Sequence, residues 1–256
     1  MLLPHEPPAV TLARPHSDSV FVFTCDHASA RVPACLGDLG VPAPEWQRHI
    51  AWDIGALAVA EKLAAHFEAS LVASGYSRLV IDLNRQLWRH DCIPEVSEHT
   101  PIPGNCNLSE AARTARAEAF HQPYHRAIDE LLTARAVRGI PTAYIAMHSF
   151  TPCFKGESRP WQIALLSHRD RRMTDCLLEV LRSDPALTVG DNTPYRVTDE
   201  TDFGIPVHAE RRGLPHLLIE LRQDEIATPA GQDAWAMRLA PLLGAVAERL
   251  GLVSSG

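Results

Sequence analysis

Positive charge is scarce in this sequence. Its 24 Lys and Arg face 31 Asp and Glu, a net charge of −7. A nucleic-acid binder needs a basic stripe, so that class is set aside. Lysine is nearly absent: only Lys62 and Lys155 occur, and every other base is Arg. Codon bias accounts for this skew, and carboxylate binding by Arg is the sharper alternative. No apolar run reaches membrane-spanning length, which excludes a spanning helix and a membrane partner. The stretch from Pro4 to Pro8 lacks the apolar core of a secretory signal. The six cysteines (25, 35, 92, 106, 153 and 176) include no Cys-x-x-Cys pair. They are expected to be reduced, mostly buried thiols in a cytoplasmic protein. His-Glu-x-x-His, internal repeats and low-complexity linkers are also missing.

What is present suits a globular protein. Its 256 residues, 46% of them hydrophobic, are enough for one large domain or two small ones. Residues 1–19 are Pro-rich and polar, and we expect an extended lead-in. Strands are expected at 20–25, 69–74, 79–83, 143–148, 161–167 and 216–221. Ala56, Val59, Ala60, Leu63, Ala64 and Phe67 mark one helical face, with Asp53 placed to cap it. A second helical region runs from Ser109 to about Arg138. Pro123 should kink or split it and Gly139 should stop it. Further helices are expected over 170–182 and in the C-terminal segment, where Pro241 should introduce a kink. Residues 88–108 form a long loop, and 183–215 are turn-rich. Strands alternating with helices imply a mostly parallel sheet covered on both faces.

Three apolar strands run into polar tips. Val20–Cys25 leads to Asp26 and His27, Ala143–Met147 leads to His148, and Leu217–Ile219 leads to Glu220. Ligands bind at the carboxyl ends of strands in open α/β sheets. Far apart in sequence, the three tips meet only if these strands are parallel neighbours. Two imidazoles and a carboxylate could then hold zinc, leaving a fourth position for water. Each His could equally be a hydrogen-bonded loop residue. Asp53 fits a helix cap as well as a ligand. Glu220, desolvated at a strand end, suits a general base, or a salt bridge to Arg222 or another Arg. Asn84–Arg85 and Arg159 could hold a substrate carboxylate or pair with internal acids. Cys25 and Cys153 lie near the same tips. A thiol nucleophile paired with His148 is conceivable, but strand cysteines are usually just buried.

Taken together, these segments resemble the N-formylglutamate amidohydrolase family over roughly residues 20–225. The resemblance rests on Cys25–Ser29, His49–Gly55, Ser77–Arg78, Asp82–Arg85, Pro103–Asn105, His148–Ser149, Arg159–Trp161, Asn192–Tyr195 and Ile219–Asp224. It implies one domain over 1–256, with the zinc-carboxypeptidase-like α/β fold, a three-layer α/β/α sandwich around a mixed, mainly parallel sheet. It implies zinc held by His27 and His148, and Glu220 as general base. Asn84 and Arg85 would grip the carboxylate of a small anionic substrate, helped by Arg78 or Arg159. The implied reaction is hydrolysis of the formyl or short acyl amide of an N-acylated acidic amino acid, such as N-formylglutamate in histidine degradation. One departure concerns the third ligand. The carboxypeptidases carry a Glu three residues after the first His, where this chain has Ala30. Asp53 is then the candidate third ligand and His49 the reserve. The alternatives are the same zinc chemistry on another N-acyl amino acid or peptide end, and a metal-free binding protein for acidic amino acids. Retention of Glu220 argues against the binder, since a carboxylate repels anions. The sequence leaves the oligomeric state open.

Overall fold

Residues 1–253 are described by a computed structural model. In chain order the strands are β1 (Val10–Ala13), β2 (Phe21–Cys25), β3 (Ser70–Ser74), the pair β4 (Val96–Ser97) and β5 (Thr100–Pro101), β6 (Ala143–Phe150), the pair β7 (Cys153–Phe154) and β8 (Glu157–Ser158), β9 (Ile163–Leu166), β10 (Val189–Asp191) and β11 (His216–Arg222). The α-helices are α1 (Ala56–His66), α2 (Glu110–Arg116), α3 (Gln122–Val137), α4 (Arg172–Leu181) and α5 (Pro229–Arg249). Seven strands form one sheet in the order β1-β3-β2-β6-β11-β9-β10. Strands β3, β2, β6 and β11 run parallel, while β9 and β10 run against them. The sheet is therefore mixed and mainly parallel.

Side-chain alternation along each strand decides what covers each face. Phe21, Phe23, Leu71, Ile145, Met147, Leu217 and Ile219 pack with α1, α4 and α5 on one side. Val22, Val72, Tyr144, Ala146 and Leu218 pack with α3 and the loop residues Leu79–Leu83 on the other. Both faces are buried, so the central strands read as continuous apolar runs. Among the described residues, no helix is long and apolar enough to cross a membrane.

Four expectations need correction. The lead-in contains strand β1, which pairs antiparallel with β3. Residues 79–83 are buried but form no strand. The edge of β3 that they would need is taken by β1. Side chains satisfy their carbonyls instead: Asn105 Nδ2 donates to Leu79 O at 2.9 Å, and Arg116 Nη1 donates to Val80 O at 3.0 Å. Three of the six cysteines (Cys35, Cys106 and Cys153) are exposed; all six are free. The turn-rich stretch also holds the unforeseen strand β10. Pro123 does split the second helical region: a π-turn, Ala117–His121, precedes α3. Gln122 N–H bonds Ala117 O, five residues back, so the chain stays helical through the π-turn into α3.

Arg116 holds the 79–85 loop from below. It is buried and also donates to Asn105 Oδ1 at 2.6 Å and Gly104 O at 3.0 Å. Arg116→Met keeps the stem but leaves those acceptors unpaired. It is expected to destabilise the protein by at least about 2 kcal/mol. The check is urea unfolding, with a lower midpoint and an unchanged slope.

Candidate active site

The order β2-β6-β11 brings the three polar tips together. Glu220 on β11 lies directly across from His148 on β6. His27 follows the end of β2, and Asp53 N donates to its carbonyl at 2.9 Å. Asp53 is not the cap of α1. That position is Gly55, whose φ of 78° lies in the left-handed region; a Cβ there would stand 2.3 Å from Ile226 O. The sharp turn frees the Asp53 carboxylate to face the strand tips.

Asp53 Oδ2 lies 3.2 Å from His27 Nδ1 and 2.9 Å from His148 Nδ1. These donor atoms all fall within 4.8 Å of one another, and all three residues are buried. The outer ring nitrogens also face carboxylates. His27 Nε2 is 2.8 Å from Asp82 Oδ1, while His148 Nε2 faces Asp26 Oδ2 at 3.5 Å. Backing of this kind fixes which nitrogen points inward, as around metal-bound imidazoles. The residues therefore fit a metal ion held by two Nδ1 atoms and one carboxylate. His49 stands outside the grouping, with Nε2 3.6 Å from Glu98 Oε2. Burial opposes charge on His27 and His148, yet the neighbouring carboxylates outweigh it and raise both pKa values. Burial, with Asp53 and Asp26, pushes the pKa of the Cys25 thiol well up, which disfavours the thiolate a nucleophile needs. A second grouping, His168, Asp199 and Glu210, is bridged by Arg169, which bonds both acids at 3.0 and 2.5 Å.

The Glu220 carboxyl is buried and its Oε2 has no hydrogen-bond partner among the described residues. Burial raises its pKa. Arg222 does not pair with it; that guanidinium binds Asp224 at 2.7 Å and Glu225 at 3.1 Å. Glu220, His27, Asp53 and His148 open onto one cleft of about 410 Å³, which Arg78, Asn84, Arg85, Tyr195 and Arg196 also line.

The expected substrate-binding residues differ in how they are engaged. Arg78 bonds Asp82 at 2.7 Å and Asp53 at 3.3 Å. Asn84 and Arg85 follow the irregular loop rather than a strand. Arg85 Nη1 donates to Thr201 O at 2.5 Å, and its Nε is 3.4 Å from Asp91. Arg159 stacks between Phe154 and Tyr195, at 4.7 and 4.9 Å from their ring centroids. Its Nη1 donates to Tyr195 Oη at 2.8 Å, and it has no carboxylate partner among the described residues. Sequence reading gave no role to Asp82 as backing for His27. It also missed Tyr124, whose hydroxyl donates to Asp26 at 2.5 Å. Asp82 sits in the segment that carries Asn84–Arg85, so a signal was there. Tyr124 lies in the middle of a helical pattern and gives none.

A protein-family model for N-formylglutamate amidohydrolase matches residues 19–227. The chain belongs to the N-formylglutamate amidohydrolase family. It is an amidohydrolase, and the convergent strand tips lie inside the matched region. The crystal structure of a gene product from Agrobacterium tumefaciens shares 36% identity, covering 98% of this chain and 99% of that one, with a TM-score of 0.94. The N-formylglutamate amidohydrolase from Ralstonia eutropha JMP134 shares 19% identity over 95% of this chain and 98% of that one. Its TM-score of 0.67 shows a common fold. No functionally curated protein matches the chain.

Proposed function

We propose that this family member is a zinc-dependent amidohydrolase that cleaves the formyl, or a short acyl, amide of an N-acylated acidic amino acid. N-formylglutamate is the first candidate. One observation carries the reading: a buried carboxylate with a free oxygen, on Glu220, shares a cleft with a convergent His27–Asp53–His148 grouping. Two imidazoles and a carboxylate, with room for water, form the donor set of many catalytic zinc sites. Zinc bound there would polarise the scissile carbonyl and make water acidic near pH 7. Asp82 holds the His27 ring by its Nε2 so that Nδ1 faces inward, the Asp26 carboxylate lies 3.5 Å behind His148 Nε2, and Arg78 braces Asp53 and Asp82.

Glu220 Oε2 takes a proton from the attacking water and passes it to the amine nitrogen as that group leaves. Arg85, with Asn84 ordering its loop, grips one substrate carboxylate. Arg159 does not itself line the cleft but bonds Tyr195, which does; without an acid partner among the described residues, it is the proposed second cation for a dianion. A metal-free binder of acidic amino acids is disfavoured, because the unpaired Glu220 carboxylate would repel its ligand.

Assaying a panel of N-formyl and N-acyl amino acids and short peptides tests this reading. Cleavage of N-formylglutamate, lost on chelation and restored by zinc, is the expected result. Turnover confined to another acyl amino acid or a peptide end would shift the specificity and keep the centre. Tight binding without turnover would indicate a binder.

Asp53 is testable on its own. Asp53→Asn removes the charge but little volume, and α1 keeps its Gly55 cap. Zinc affinity, read by chelator competition, is expected to fall beyond the ~10- to 100-fold typical of an outer-shell change. Full zinc occupancy in this variant would remove Asp53 from the ligand set.

A further inference from the structure

Behind the cleft wall lie three buried imidazoles outside the metal grouping: His121, His125 and His208. His125 Nε2 is 2.8 Å from Leu83 O, and its Nδ1 is 2.9 Å from His208 Nε2. A carbonyl only accepts, so the His125 proton sits on Nε2. Its Nδ1 must then accept, and His208 Nε2 must donate. This hydrogen-bond chain ends on His208 Nδ1, which is buried without a partner among the described residues. His121 Nε2 donates to Arg85 O at 3.1 Å. Burial lowers the pKa of all three rings, which keeps them in the neutral forms this pattern requires.

The same ring cluster closes on the residue between. Phe203 packs against His125 and His121, with centroids 4.0 and 5.0 Å away. The backbone N–H groups of Phe203 and Gly204 donate to Asn84 Oδ1 at 2.9 and 3.0 Å. Asn84 Nδ2 donates to Asp202 Oδ1 at 3.0 Å. Leu83, Asn84 and Arg85 are thus each tied down, although no sheet ladder supports them. His121 ends the π-turn, and with His125 at i,i+4 it presents two rings to one face. π-turns of this kind recur at functional sites.

We infer that His121 and His125 are positioning residues: their hydrogen bonds to the Leu83 and Arg85 carbonyls aim the Arg85 guanidinium at the substrate carboxylate and so set substrate affinity. This rests on the reading of Arg85 as the carboxylate grip. A brace acting through Arg85 alters binding common to ground and transition states, so it moves KM rather than kcat.

The test is a double-mutant cycle on the full chain with N-formyl-L-glutamate. His121→Phe keeps a ring against Phe203 but loses the donor. It is expected to raise KM about 3- to 10-fold, the worth of one net hydrogen bond, with kcat and zinc content unchanged. In an Arg85→Ala background the same change should add nothing, because there is no guanidinium to aim. His121→Gln retains an N–H donor and should recover most of the affinity. Equal KM effects in both backgrounds, or a lower melting temperature with unchanged KM, would overturn the inference and leave the grip intact. If Arg85→Ala leaves KM unchanged, the grip fails and the brace with it. Should His121→Phe not fold, His125→Asn, too short to reach Leu83 O, takes its place in the cycle.

Discussion

Replacing His148 with Ala is expected to remove both stoichiometric zinc and activity from a protein that still folds. The expected wild-type content is about one zinc per chain, as for a three-ligand catalytic site. His148 supplies one of the three converging donor atoms, and no other imidazole in the grouping can replace it. The fold should hold because the neighbours keep other partners. Asp53 retains His27 and Arg78, while Asp26 retains Tyr124. Elemental analysis, activity and circular dichroism on the same sample check all three points. Full zinc in His148→Ala, or an active wild type free of transition metal, would refute the metal centre.

Glu220→Gln should give the second large effect, with zinc still bound. Gln keeps the shape and the hydrogen-bonding capacity but cannot carry a proton from water to amine. The expected loss is at least ~10²-fold in kcat, the usual scale of general-base catalysis. Stability should barely fall. The Oε2 atom has no hydrogen-bond partner, and the nearby Arg222 pairs with Asp224 and Glu225. Single-turnover kinetics with zinc content measured on the same sample separate a chemical defect from a binding one. Near-normal kcat would show that Glu220 is not the base. Asp26, whose Oδ2 is also buried without a partner, would be examined next.

The two variants fail differently if the reading is right. His148→Ala loses metal and chemistry together, while Glu220→Gln loses chemistry alone. A structural salt-bridge role for either residue predicts neither pattern.

The sequence by itself determined the strands that carry the site and the residues at their tips. Central parallel strands are buried on both faces, so they appear as unbroken apolar runs, and a polar residue just beyond each run stands out. The same logic misread Leu79–Leu83. An apolar run records burial, not hydrogen-bonded pairing, and only the tertiary fold shows that β1 has taken the neighbouring edge. The adjacency of β2, β6 and β11, which unites His27, His148 and Glu220, is a matter of sheet order. No local pattern encodes it. Whether Asp53 caps a helix or faces two imidazoles turned on one left-handed residue, Gly55. The pairing of Arg78 with Asp53, the carboxylates behind each ring and the imidazoles under Arg85 come from segments tens of residues apart. Side-chain chemistry names what such groups can do, and the packing of distant segments decides which of them meet.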